Sequence, residues 1–113
     1  MSEASHKKEF PVELARAGEV RHFVSWAGAV AGLRGGALSD FAVAAEAVLT
    51  DIFLSARGGT LKVESETVEN TFRITICHAE LHERRMAGLD DIMEQFLDGH
   101  ELSLTKVVLV KRL

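Results

Sequence analysis

The sequence predicts an α+β domain, a two-layer α/β sandwich with helices on one face of a mostly antiparallel sheet. Three observations carry that prediction. Two neighbouring segments, "TLKVESETV" and "TFRITICHA", alternate apolar and polar residues with period two. Two long segments before them repeat apolar residues at helical spacing. A final apolar stretch, "LSLTKVVLVKRL", closes the chain as a strand. The implied element order is β-α-α-β-β-α-β, with helices segregated from strands as in two-layer folds.

Taken in order, the polar opening residues 1–8 read as a disordered tail and residues 9–113 as one domain. "EFPVEL" alternates, placing Phe10, Val12 and Leu14 on one face of a first strand. Pro11 has no amide donor, which puts that strand at a sheet edge or at its own beginning. From Ala15 to Leu33 the apolar residues Val20, Phe23, Val24, Ala27, Val30 and Ala31 form one broad helical face, with Phe23 and Trp26 expected in the core. "RGG" at 34–36 should end that helix, because glycine tolerates the left-handed cap. Ser39 then serves as N-cap of a second helix, with Asp40 in its first turn. Phe41, Ala44, Ala45, Val48 and Ile52 form its inner stripe. Val43, Leu49, Phe53 and Leu54 make it apolar nearly all round, so burial on two sides is expected.

Gly58 and Gly59 stop the second helix. The hairpin that follows turns at "VEN", with Glu69 and Asn70 supplying the turn chemistry. Asp90–Asp98 reads as a third helix with Ile92, Met93, Phe96 and Leu97 inward and Gly99 as its C-cap. The last strand has an apolar centre, Val107–Val110, which suits an interior sheet position.

Composition excludes several classes. At 113 residues, 47% hydrophobic and 27% charged, the chain is an ordinary globular domain. Its net charge of −4 offers no general attraction to nucleic acid or an anionic membrane. The lone cysteine, Cys77, rules out an internal disulfide and fits a reducing, cytoplasmic setting. The polar N-terminus does not read as a signal peptide. The basic groups "KRL" and "ERR" (83–85) read as solvated faces, and His22 in "VRHFV" as a helix-surface histidine rather than a phosphoacceptor.

The element order resembles the histidine-kinase-like ATPase fold, and most closely the anti-sigma-factor serine kinases of bacterial partner-switching systems. In that family the second helix carries a motif of the form V-E-E-L-L-T-N-A-V. Laid on it, "AEAVLTDIF" puts Thr50 and Asp51 on the T-N pair, Glu46 on the first glutamate and Ala47 on the general-base position. The family needs a carboxylate there to activate the attacking hydroxyl, and a polar residue one turn on to hold Mg²⁺. A register shift of one residue makes Glu46 and Thr50 the pair instead. "FRITICHAELH" runs beside the strand that ends in D-x-G-x-G, with His78 in place of the adenine-recognising aspartate. Glu80 and His82 replace glycines that allow close backbone approach. Only "ERRMA" lies between His82 and Gly88, so the glycine-rich lid that presents backbone amides to phosphate is missing. Gly88 and Leu89 keep part of the G-x-G-L box, Asp90 and Asp91 follow in the first helical turn, and Thr105 stands where the family has G-T.

The resemblance therefore implies a lid-less, degenerate nucleotide site at Ala47, Asp51, His78, Glu80, His82, Gly88 and Thr105. The expected function is a non-catalytic regulatory module with no cofactor, binding a sigma factor, an antagonist of an anti-sigma factor, or a second copy of itself. One alternative is an active ATP-dependent serine kinase, with Glu46 as base and Asp51 on Mg²⁺. Another is an unrelated α/β sandwich with a metal at Cys77, His78 and His82, whose ligand types suit zinc.

Overall fold

A computed structural model of the chain describes residues 5–55, 58–78, 89–103 and 105–113. Within them the elements are β1 (Ser5–Pro11), a 3₁₀ turn (Leu14–Arg16), α1 (Ala17–Ala31), α2 (Gly35–Ser55), β2 (Thr60–Val68), β3 (Thr71–Cys77), α3 (Leu89–Phe96), β4 (Gly99–Leu102) and β5 (Lys106–Arg112). The strands form one antiparallel sheet in the order β1-β2-β3-β5-β4. The helices lie on one face of it, making a two-layer α+β sandwich. Among the described residues no helix is long and apolar enough to cross a membrane.

The period-two segments pair as expected. Leu61 and Val63 of β2, Phe72, Ile74 and Ile76 of β3, and Val107 and Leu109 of β5 are all buried beneath the helices. Their alternate neighbours form the open face, where charges alternate across the strands: Glu9 lies opposite Lys62, Lys7 opposite Glu64, and Glu66 opposite Arg73. Such pairs favour one register over its one-residue slip. The β2–β3 turn holds Glu69 and Asn70 at φ 49° and 67°, the two left-handed residues of a tight hairpin. Leu113 docks on that turn, its amide donating to Asn70 O at 2.9 Å.

α2 covers the centre of the sheet. All five residues of its inner stripe are buried, as are Leu49 and Phe53. Phe41 meets Phe72 edge to face, with centroids 5.1 Å apart. Its outer side is not covered, however: Val43 and Leu54 are exposed, so the expected burial on two sides does not occur. A two-layer fold has no third layer to supply it.

Several boundaries differ from the sequence-based expectation. β1 reaches back to Ser5, so residues 5–8 of the expected tail are paired with β2, helped by His6 packing edge to face on Trp26. Leu14 does not continue the inner face but lies exposed in the 3₁₀ turn. α1 stops at Ala31, three residues before "RGG". Gly32 takes φ 121°, its amide donates to Ala29 O, and the Leu33 amide donates to Gly28 O. That pair of bonds satisfies the terminal carbonyls and turns Leu33 back into the core. α2 accordingly begins at Gly35: the amides of Ala37 and Leu38 donate to Arg34 O, leaving Ser39 and Asp40 inside the helix.

The end of the chain is a hairpin, not a single strand. Gly99 is the first residue of β4 rather than a helix cap, with its Cα against Val110. Asp98 steers this change of direction, donating its amide to Val110 O at 3.0 Å and accepting the Arg112 amide on Oδ2 at 2.6 Å. β5 is interior, between β3 and β4. Lys111, expected on a solvated tail, ties the helix layer together. Its ammonium donates to Phe96 O at 2.9 Å and lies 3.8 Å from Asp40 Oδ2.

Candidate functional site

The register gathers several sequence-predicted site residues at one end of the sheet. β2 begins there with Thr60, β3 ends with Cys77 and His78, and Thr105 leads into β5. The Gly58–Gly59 turn that delivers the chain from α2 to β2 closes the same end, with Gly59 O accepting the Val12 amide at 3.0 Å. Both glycines have positive φ, 77° and 84°, which L side chains rarely adopt.

His78 is the centre of this arrangement. It is only 4% exposed and continues the side of β3 that faces the helices. Its Nε2–H donates to Gly58 O at 2.9 Å, and its amide donates to Thr105 O at 3.0 Å. A Cβ on Gly59 would stand 3.1 Å from Nε2, so a side chain there would crowd the imidazole as well as strain the backbone. His78 and Thr105 are thus brought together, and with Thr60, Lys62 and Cys77 they line an open recess of about 460 Å³.

The α2 residues divide. Asp51 is half-buried one turn before the helix ends, and Ala47, also half-buried, sits one turn earlier on the same side. Glu46 lies elsewhere on the helix. It is exposed, accepts the Thr50 hydroxyl at 3.3 Å and pairs with Arg21 of α1 at 3.3 Å. The residue that the resemblance offers as an alternative base is therefore engaged in the α1–α2 seam. Glu80, His82 and Gly88 lie outside the described residues, as does the short segment in place of a lid. Cys77 belongs to the open face of the sheet, where Lys62 and Lys106 flank it across the strands, whereas His78 faces the helix layer. Among the described residues no three histidine, cysteine, aspartate or glutamate side chains converge as a metal site.

A second concavity was not anticipated from sequence. Lys8, Gly18, Glu19, His22, Phe23 and Trp26 line a groove of about 710 Å³ between α1 and β1. Trp26, expected in the core, is 42% exposed there, and Phe23 is half-buried. The helical spacing of Glu19, His22 and Trp26 is the signal that could have found it: one face of α1 mixes polar residues with the chain's single tryptophan.

No family model matches the chain, and no curated protein matches it significantly.

Proposed function

We propose that the chain is a non-catalytic regulatory protein-binding module on a scaffold like that of the anti-sigma-factor serine kinases, with a degenerate nucleotide site. The carrying observation is His78. Where the resemblance places an adenine-recognising aspartate, the chain has an imidazole that is buried and hydrogen-bonded onto the Gly58–Gly59 turn. A group already satisfied by the backbone and packed out of solvent is poorly placed to read a purine edge.

The described residues also fit Mg-ATP poorly elsewhere. Ala47 has no acid–base chemistry at the general-base position. Glu46, the nearest carboxylate on that helix turn, is held by Arg21 and Thr50. A partner of sigma-factor or anti-sigma-antagonist type is the expectation that the family resemblance supplies.

Isothermal titration with Mg-ATP and Mg-ADP tests this reading, and no saturable heat is expected with either nucleotide. Saturable binding, together with transfer of the γ-phosphoryl group to a protein serine, would replace it with the active-kinase reading.

A further inference from the structure

The outer edge of β1 combines an unpaired strand, exposed lysines and an aromatic groove. Val12 donates to Gly59 O, and the same register continues through Phe10–Leu61, Lys8–Val63 and His6–Ser65. In an antiparallel ladder the hydrogen-bonded pairs recur at every second residue. The amides of His6, Lys8 and Phe10 therefore face β2, and those of Ser5, Lys7 and Glu9 point away from the sheet. Pro11 falls in the outward set, where its missing N–H removes no ladder bond. β1 is last in the strand order, and no described element pairs with its outer side. The opposite edge, β4, is only four residues long, against seven for β1.

The side chains alternate to match. His6, Lys8 and Phe10 point toward the helix layer, where α1 runs above them. Phe10 meets Phe23 edge to face at 5.9 Å, Phe23 meets Trp26 at 6.0 Å, and Trp26 meets His6 at 4.8 Å. The groove beside them is lined as well by Glu19 and His22 of α1. Lys7 and Lys8 are exposed, and among the described residues neither is within ion-pair distance of a carboxylate. Lys8 instead stands 5.5 Å from the Phe10 ring centroid.

We infer that this edge captures an extended acidic segment of a partner protein. The segment adds as a sixth strand, exchanging backbone hydrogen bonds with Ser5, Lys7 and Glu9. Its carboxylates, on one side of the added strand, meet Lys7 on the open face, and an apolar side chain on the other side enters the groove beside Lys8, against Trp26 and Phe23. Lysine and proline also serve to blunt a bare edge. Blunting requires charge alone, whereas here a half-exposed tryptophan, the residue type most enriched among binding anchors, lines a recess beside the same strand. The inference rests on the protein-binding reading above and names the partner's chemistry.

The test uses an acetylated octapeptide alternating glutamate with valine around a central leucine, titrated into the full chain. Trp26 is the only tryptophan, so its emission reports the groove directly, and amide NMR shifts report β1. The expected result is a saturable emission change with shifts concentrated at residues 5–11. Methylating the alternate peptide nitrogens that face β1 should weaken binding by about tenfold or more, because ladder donors are lost while charge is kept. Lys7→Glu with Lys8→Glu should weaken it similarly and shift preference to the lysine-for-glutamate peptide, with circular dichroism confirming the fold.

Three results would each overturn the site: no emission change up to about 1 mM peptide, equal binding of the N-methylated peptide, or equal binding of the basic peptide by the unaltered chain. Failure here with blank nucleotide titrations moves the partner to another surface and leaves the module reading standing. Saturable Mg-ATP binding defeats the module reading whatever the peptide does.

Discussion

The centre of the sandwich and its β1–α1 margin are both rich in apolar side chains, yet they end in opposite states. At the centre Phe72, Ile74, Ile76, Val107 and Leu109 are at most 1% exposed beneath the helix layer. At the margin Trp26 is 42% exposed. Apolar character is similar in the two places; the number of covering elements is not. Central strands have a strand on each side and a helix above, whereas β1 has one neighbour and α1 packs over it from one side only. An exposed tryptophan lining a groove at such a margin marks a surface suited to a partner.

The sharpest way to break this comparison is Phe72→Ala. The ring is buried against Phe41, and its removal should cost about 3–5 kcal/mol in denaturant unfolding. A loss near 1 kcal/mol would mean the centre is no more closed than the margin. Gly28→Val comes next. A Cβ at this position would stand 3.2 Å from Leu33, 3.4 Å from Leu38 and 3.5 Å from Phe72, so branching there should cost about 1–3 kcal/mol through overpacking at the α1–α2 corner.

The margin should respond differently. Trp26→Ala is expected to change stability by about 1 kcal/mol or less, since the ring keeps much of its surface in solvent, while abolishing capture of the acidic peptide, followed by the β1 amide shifts. A larger stability loss would place Trp26 with the core. Glu69→Asn sharpens the hairpin that aligns β2 with β3. Asparagine tolerates the left-handed conformation that Glu69 adopts, so thermal unfolding should show a gain of about 0.5–1 kcal/mol. The smallest effect belongs to the open face. Arg73→Ala removes a half-exposed 3.6 Å pair with Glu66 and should shift stability by less than about 0.5 kcal/mol, a difference that high salt should erase.

Elements whose burial pattern is written in local periodicity were legible: the inner stripe of α2, the alternating β2 and β3, the Glu69–Asn70 turn and the interior β5. β4 was not, because "GHEL" has no apolar alternation and is a strand only through pairing with β5. The start of α2 was misplaced because Ser39 and Asp40 have good capping chemistry, but the cap at Gly32 and the Arg34 carbonyl had already started the helix. The candidate site shows the same division. Its residue types at Ala47, Asp51 and His78 could be read along the chain. That Glu46 turns to Arg21, and that His78 lies on the Gly58–Gly59 turn, depends on contacts between residues far apart in sequence.

The sequence by itself determined the class of fold, the face each strand presents inward, and the absence of a carboxylate at Ala47. These follow from side-chain period and residue chemistry, which are local. Only the tertiary structure decided which apolar residues are buried, which strand edge stays open, and that His78 is satisfied by backbone. Those outcomes depend on how many neighbours cover a group, and that number is set by packing between elements and not by any stretch of chain alone.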